Sequence, residues 1–158
     1  MRHIRIALIT SVLALSLTAC GAGFNASTRQ VSQVTDGVEA SIKTDGNNIK
    51  LVNVLVVETA QGAGVLIGTV INGEPNEDAL LGVSINGVVA NVTGTNTLAQ
   101  NTPIRFEGAS ANAKAVVPVL HAKAGSHVRV TMFFAHAGEL TLLAIVRDQR
   151  DTYSGITA

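Results

Sequence analysis

The 158-residue chain is poor in aromatic residues and has a single cysteine. It contains no Trp, one Tyr and four Phe, so aromatic platforms that stack bases or sugars are not expected. Eleven basic residues balance eleven acidic ones, which argues against nucleic acid or an acidic lipid surface as the main partner. Because Cys20 has no second cysteine to pair with, the fold must depend on its apolar core and not on a disulfide.

The N-terminal segment has the features of an export signal. A basic start is followed by an apolar run at residues 6–17, which is about the length that a secretory signal needs. Leu17, Thr18 and Ala19 then lead directly to Cys20. This pattern resembles the bacterial lipobox, in which the cysteine thiol receives lipid and becomes the first mature residue.

The lipobox resemblance implies a signal peptide at residues 1–19 and covalent lipid, such as palmitate, on Cys20. The apolar run is too short for a membrane span, which takes about 20 apolar residues. Two or three acyl chains give stable attachment where one gives only marginal binding. We therefore expect a lipid-anchored protein of a bacterial cell membrane, facing outside the cytoplasm. The alternative is an ordinary secretory signal in which the cysteine is incidental.

The rest of the chain divides by composition into three parts. Residues 20–48 are polar and predict a flexible tether with a short strand near Val38–Ile42. Residues 49–147 have the recurrent short strand signals of an all-β sandwich. Residues 148–158 predict a frayed tail. The predicted strands of the sandwich are residues 49–58, 64–72, 79–85, 88–93, 103–106, 116–121, 128–134 and 140–146.

Two local patterns support the all-β prediction. The dipeptide Asn86-Gly87 between two apolar runs is a strong hairpin signal. Residues 128–134 alternate with period two, which places Met132 on the core-facing side with its apolar neighbours. No stretch after residue 20 has ten or more residues of helical period, so no helix is predicted.

The order of these segments carries a family resemblance. Residues 64–91 give a strand, a polar loop and a second strand, and residues 122–142 give a Gly-containing turn followed by the last hairpin. Together they resemble the periplasmic copper chaperones of the PCu(A)C type, a cupredoxin-like β-sandwich. They also resemble actinobacterial lipoproteins that carry a divergent version of this domain. The resemblance covers about residues 51–146.

The copper ligands of that family have no counterpart here. The resemblance implies a Cu(I) site of two His and two Met that ends in a His-x-Met pair. The matching stretch, residues 111–115, reads Ala-Asn-Ala-Lys-Ala, and residues 86–110 contain no His or Met. Since soft Cu(I) selects thioether and imidazole ligands, Ala and Asn cannot replace them. We therefore expect no cofactor other than the lipid on Cys20.

Three histidines remain after the leader. His127 and His136 are nine residues apart and point to opposite faces of one predicted strand, so they cannot share an ion. His121 and His127 flank one turn and are the only pair that could form a rebuilt metal site. The other interpretation is that both are solvated loop residues. Glu74, Glu77 and Asp78 lack the spacing of a calcium loop and predict a solvated turn.

The sequence contains no recognisable catalytic arrangement. No serine stands in a Gly-x-Ser-x-Gly elbow, so a hydrolase is disfavoured. We therefore predict a non-catalytic binding module that meets an envelope protein through the loop at residues 73–78 or the turn at residues 121–127. The alternative is a copper-handling protein with a rebuilt site at His121 and His127. The sequence leaves the oligomeric state open.

Overall fold

The computed structural model describes residues 36–158, and these form an all-β sandwich, as the sequence predicts. One short 3-10 helix, Asp151–Tyr153, follows the last strand. The strands are β1 (Val38–Ile42), β2 (Ile49–Glu58), β3 (Gly64–Asn72), β4 (Asp78–Ile85), β5 (Val88–Val89), β6 (Asn91–Gly94), β7 (Thr97–Leu98), β8 (Ile104–Arg105), β9 (Ala113–Val117), β10 (His127–Phe134) and β11 (Gly138–Asp148).

The strands lie in two layers around one core. The first layer has the order β5, β4, β10, β11, and all its pairings are antiparallel. The second layer contains β2 and β3 with β1, β6, β8 and β9. β11 connects the layers, because its last residues pair in parallel with the end of β2.

The core is filled by the alternate residues of each layer. In β10, Val128, Val130, Met132 and Phe134 are buried, as period two requires. Met132 is fully enclosed, so its predicted place in the core is confirmed. Burying each such side chain contributes about 1.5–3 kcal/mol to folding.

The structure changes the predicted boundary of the tether. β1 pairs with β2 through residues such as Ile42 and Ile49, so the sheet begins at Val38 and not at residue 49. Just before it, the Gly37 backbone N–H donates to the Asn53 side-chain oxygen at 2.9 Å. The short strand Val38–Ile42 predicted within the tether is confirmed, and it belongs to the domain.

Two predicted strands are placed differently in the structure. The strand predicted at residues 88–93 is two short strands, β5 and β6, separated by buried Ala90. β5 pairs with β4 in the first layer and β6 pairs with β9 in the second, so the chain changes layer at Ala90. The strand predicted at 116–121 lies earlier, at Ala113–Val117. Pro118 has no backbone N–H to donate to a neighbouring strand, so the chain leaves the sheet there. β7 has only two residues and was not predicted.

The C-terminal residues are more regular than a frayed tail. They contain the 3-10 helix, and its Tyr153 hydroxyl donates to Asp36 at 3.2 Å. Arg147 of β11 forms an ion pair with the same carboxylate at 3.2 Å. Asp36 therefore lies at the end of the sandwich where β2 and β11 finish, which we call the Asp36 end. The loop at residues 73–78 lies at the opposite end, where β3 finishes and β4 begins.

Candidate functional site

The loop at residues 73–78 borders a pocket in the described part of the chain. The pocket has a volume of about 650 Å³. Asn72 fixes the loop, because its side-chain amide donates to the carbonyls of Asn76 and Leu98 and its oxygen accepts from the Glu74 N–H. The pocket is lined by Asp45, Gly46, Asn47, Asn72, Glu74, Asn76, Glu77, Asp78 and His136.

Asp78 is a structural residue and not part of a solvated turn as predicted. It is only 5% exposed, and its carboxylate accepts backbone N–H groups of Ala79, His136 and Ala137 at 2.7–3.0 Å. Burial raises the pKa of Asp78, but these three hydrogen bonds outweigh it and hold the pKa below its ordinary value. The carboxylate thereby joins the start of β4 to the β10–β11 turn.

The turn at residues 121–127 is attached to the end of β2. Lys123 Nζ lies 2.6 Å from Glu58 Oε1, and the Ala124 N–H donates to Glu58 Oε2 at 3.0 Å. The hydrogen bond from Lys123, with help from Ala124, lowers the pKa of Glu58 below its ordinary value. Leu120 is buried just before the turn and donates its N–H to the Gly62 carbonyl. The turn is therefore held in place at both sides.

The three histidines of the described residues lie at two ends of the sandwich. His121 and His127 are exposed at the Asp36 end, and His121 has a left-handed φ of 55°. His136 is exposed at the opposite end and lines the pocket beside Asp78. Within residues 36–158, no three His, Cys, Asp or Glu side chains converge so as to hold a metal ion.

Residues 111–114, in the stretch where the resemblance implies the His-x-Met pair, line a separate pocket of about 330 Å³. Lys114 projects there and lies 3.9 Å from Glu107, and its ammonium group also donates to the Thr157 hydroxyl at 3.3 Å. Asn112 accepts from the Arg105 N–H and donates to the Pro103 carbonyl. The side chains present are thus an ammonium group and an amide that hydrogen-bonds the backbone of residues 103 and 105.

Two predictions cannot be located in the structure. Cys20 and the segment at residues 1–19 lie outside the described residues. Between Asp36 and Ala158 we find no helix with the length and apolar character to cross a membrane.

Comparison with known proteins identifies the fold. No family model matches the chain, and no curated protein does. The copper-bound PCuAC domain from PmoF2 superposes with a TM-score of 0.56 at 20% identity, covering 70% of this chain and 98% of that domain. The apo PCuAC domain from PmoF1 gives 0.57 at 18%, covering 70% and 99%. The apo PmoF2 domain gives 0.56 at 17%, covering 72% and 98%.

The described domain therefore has the fold of a PCuAC domain, which confirms the resemblance seen in the sequence. At these identities the likeness establishes the fold alone. Sequence reasoning did not find the buried role of Asp78 or the Lys114–Glu107 pair. The role of Asp78 depends on a turn 58 residues later in the sequence, and the Lys114–Glu107 pair depends on how the turn between β8 and β9 folds back.

Proposed function

We propose that this chain is a lipid-anchored protein of the bacterial envelope whose PCuAC-type sandwich serves as a non-catalytic binding module. The observation that carries the binding-module part of this proposal is the set of side chains at residues 111–115, where the resemblance implies copper ligands. There the domain has Lys114, which is paired with Glu107. A fixed ammonium group repels a copper cation and offers it no lone pair, so this position cannot contribute to a Cu(I) site.

The anchor is proposed from the lipobox-like sequence that ends at Cys20. Acyl chains on that cysteine would hold the domain at the outer face of the membrane. Residues 21–35 would then connect the lipid to Asp36, which Arg147 and Tyr153 hold against the sandwich. The tether would therefore join the domain at its Asp36 end.

This attachment point favours one of the two predicted contact surfaces. β11 has 11 residues, so the two ends of the sandwich are separated by roughly 35 Å at about 3.3 Å per residue. The loop at residues 73–78 and its pocket therefore lie at the end of the domain far from the point where the tether attaches, and the turn at residues 121–127 lies at the near end. We propose the loop as the contact surface for an envelope protein, because it is the one farther from the attachment point.

The first experiment is intact-mass spectrometry of the full chain from a membrane fraction, with Cys20→Ala as control. We expect cleavage before Cys20 and added acyl mass that the variant lacks. A chain that is uncleaved, or cut elsewhere without lipid, would disprove the anchor. The binding role is tested separately, by placing a photo-crosslinking residue at Glu77 or at Lys123. Partner adducts are expected from Glu77, and adducts only from Lys123 would contradict the choice of the loop at residues 73–78 as the contact surface.

A further inference from the structure

The outer face of the β5–β4–β10–β11 layer is unusually apolar. Five large apolar side chains are exposed in the described residues, and four of them lie on this face. The exception, Val119, lies in the loop after β9. Leu81 occupies a bulge at which two residues of β4 oppose Phe133. The four on the face are Leu81 (67% exposed), Val89 (78%), Phe133 (40%) and Leu143 (61%).

Gly82 lies in the middle of this face, in the β4 bulge and directly opposite Phe133. Its φ is not in the left-handed region, and a Cβ built on it would meet no atom within 4 Å. Glycine inside a strand often marks a bulge or a place where another backbone approaches closely. The face therefore has no side chain at this position, and the backbone beside Leu81 and Phe133 is open.

The charges on the face identify the partner as a second copy of the same chain. Along β10 and β11 the outward pairs are Arg129 with Leu143, then Thr131 with Thr141, then Phe133 with Glu139. Arg129 and Glu139 are thus separated by four residues along the strands, about 13 Å. If two copies stack face to face, a two-fold axis can lie between the faces, perpendicular to the strands and level with the Thr131–Thr141 pair. Such an axis brings Arg129 of one copy opposite Phe133 and Glu139 of the other.

We propose that two copies of this chain pair through the outer face of the β5–β4–β10–β11 layer, with Arg129 of each copy against Phe133 and Glu139 of the other. Each contact then occurs twice, as two-fold symmetry requires. Arg129 gains both an ion pair with Glu139 and a place on the Phe133 ring of the other copy.

The size of the face predicts a weak dimer. β4, β10 and β11 lie about 4.8 Å apart and are about eight residues long, so with the two residues of β5 they cover roughly 400 Å². Burying that area on each copy gives a total near 800 Å², below the roughly 1,200 Å² of standard specific complexes, so the pairing should be weak and transient. The pairing involves only the domain, so it stands whether or not Cys20 carries lipid.

The test is cysteine cross-linking of the full chain in membrane and soluble fractions from producing cells. Stacked sheets lie about 10 Å apart, so Thr141→Cys near the axis should be joined to itself by a short bismaleimide. Val119→Cys, exposed in the loop away from the face, is the matched control. The unsubstituted chain shows what Cys20 alone contributes. We expect dimer from Thr141→Cys well above both controls, in whichever fraction holds the protein.

A charge reversal makes the test specific to the proposed geometry. Adding Arg129→Glu to the Thr141→Cys chain should lower the dimer yield at least fivefold, and adding Glu139→Arg as well should restore it. Equal dimer from Val119→Cys, or no rescue by the double reversal, would overturn the proposal. So would a Thr141→Cys chain that reacts with a monofunctional maleimide yet gives no dimer. Protection of that thiol without cross-linking would show a different partner or the membrane on this face.

Discussion

The Lys114 ammonium group lies 3.9 Å from a carboxylate oxygen of Glu107, in the stretch where the PCu(A)C family resemblance places a His-x-Met pair. Both side chains are partly shielded from solvent, with 33% and 18% of their surfaces exposed. The pair puts a hydrogen-bonded cation where the chaperones need soft, neutral ligands. The domain therefore has the fold of its structural relatives without the copper ligands that the resemblance implies.

The first prediction follows from that difference. The full chain should not withdraw Cu(I) from a competing chelator, because the described domain lacks a convergent soft ligand set. A spectroscopic titration of the chelator complex measures this. The alternative function predicts binding that the His121→Ala, His127→Ala double variant abolishes. Stoichiometric copper uptake lost in that variant would therefore replace our proposal with the copper-handling one.

A second prediction concerns Asp78, which joins β4 to the β10–β11 turn. Asp78→Ala leaves the N–H groups of His136 and Ala137 without their acceptor in a poorly solvated place. We expect a loss of about 2–4 kcal/mol in the free energy of unfolding, measured with urea. Glu77→Ala on the same loop is the matched control, because Glu77 is exposed, and it should change stability by less than about 0.5 kcal/mol. Similar losses for both variants would contradict the structural role.

The third prediction is the pH dependence that Asp78 imposes. Its pKa is lowered in the folded state, so its contribution to stability is fully present above the unfolded-state pKa of about 3.9. The contribution is lost as the pH falls through the lower folded-state pKa. Glu58, whose pKa Lys123 lowers, acts in the same direction. Unfolding free energy should therefore fall below about pH 4, and the fall should be shallower in Asp78→Asn. Equal slopes in the two proteins would count against this mechanism.

The fourth prediction compares two glycines. Gly94 has a φ of 91°, and a Cβ there would lie 2.3 Å from the Asn112 carbonyl oxygen. Gly94→Ala should therefore cost about 2–4 kcal/mol through left-handed strain and displacement of β9. Gly82→Ala meets open space and an ordinary φ, so it should be neutral or raise stability by up to about 1 kcal/mol. Thermal unfolding of both variants checks the contrast, and a destabilised Gly82→Ala would contradict it.

The same Gly82→Ala variant bears on the proposed dimer. A methyl group would project from the outer face beside Phe133, where the second copy's sheet would lie, so cross-linking through Thr141→Cys should decrease while the domain stays folded. An unchanged dimer yield would mean that the interface does not extend to Gly82.

Local patterns were sufficient to predict most of the strands. β2 and β3 have the predicted bounds, because long aliphatic runs ended by Gly and Asn allow few alternatives. β10 was predicted from residue 128 because its alternation is unbroken, and the structure adds only His127. The prediction was wrong where a strand is too short for periodicity, as in β7, or where the chain changes layer, as at Ala90.

The functional surfaces were less predictable for a physical reason. In the sequence, Asp78 is one of several acidic residues in a loop. It is buried in the structure because a turn 58 residues later supplies two N–H donors to its carboxylate. Likewise, the apolar outer face combines residues from β4 and β11, which are far apart in the sequence. They share one face only because β10 lies between them and pairs with both. Such contacts have no local signature.

The sequence by itself determined the chemistry available to this protein. It supplies no aromatic platform, no disulfide partner and no His or Met in the copper-ligand stretch, and side-chain identity is independent of fold. The tertiary structure alone decided which polar groups are buried, where Lys114 finds its partner, and which apolar residues remain exposed together on one face. Burial arises from pairings between distant strands, and the Lys114–Glu107 pair arises from the turn between β8 and β9, so neither can be read from residue identity alone.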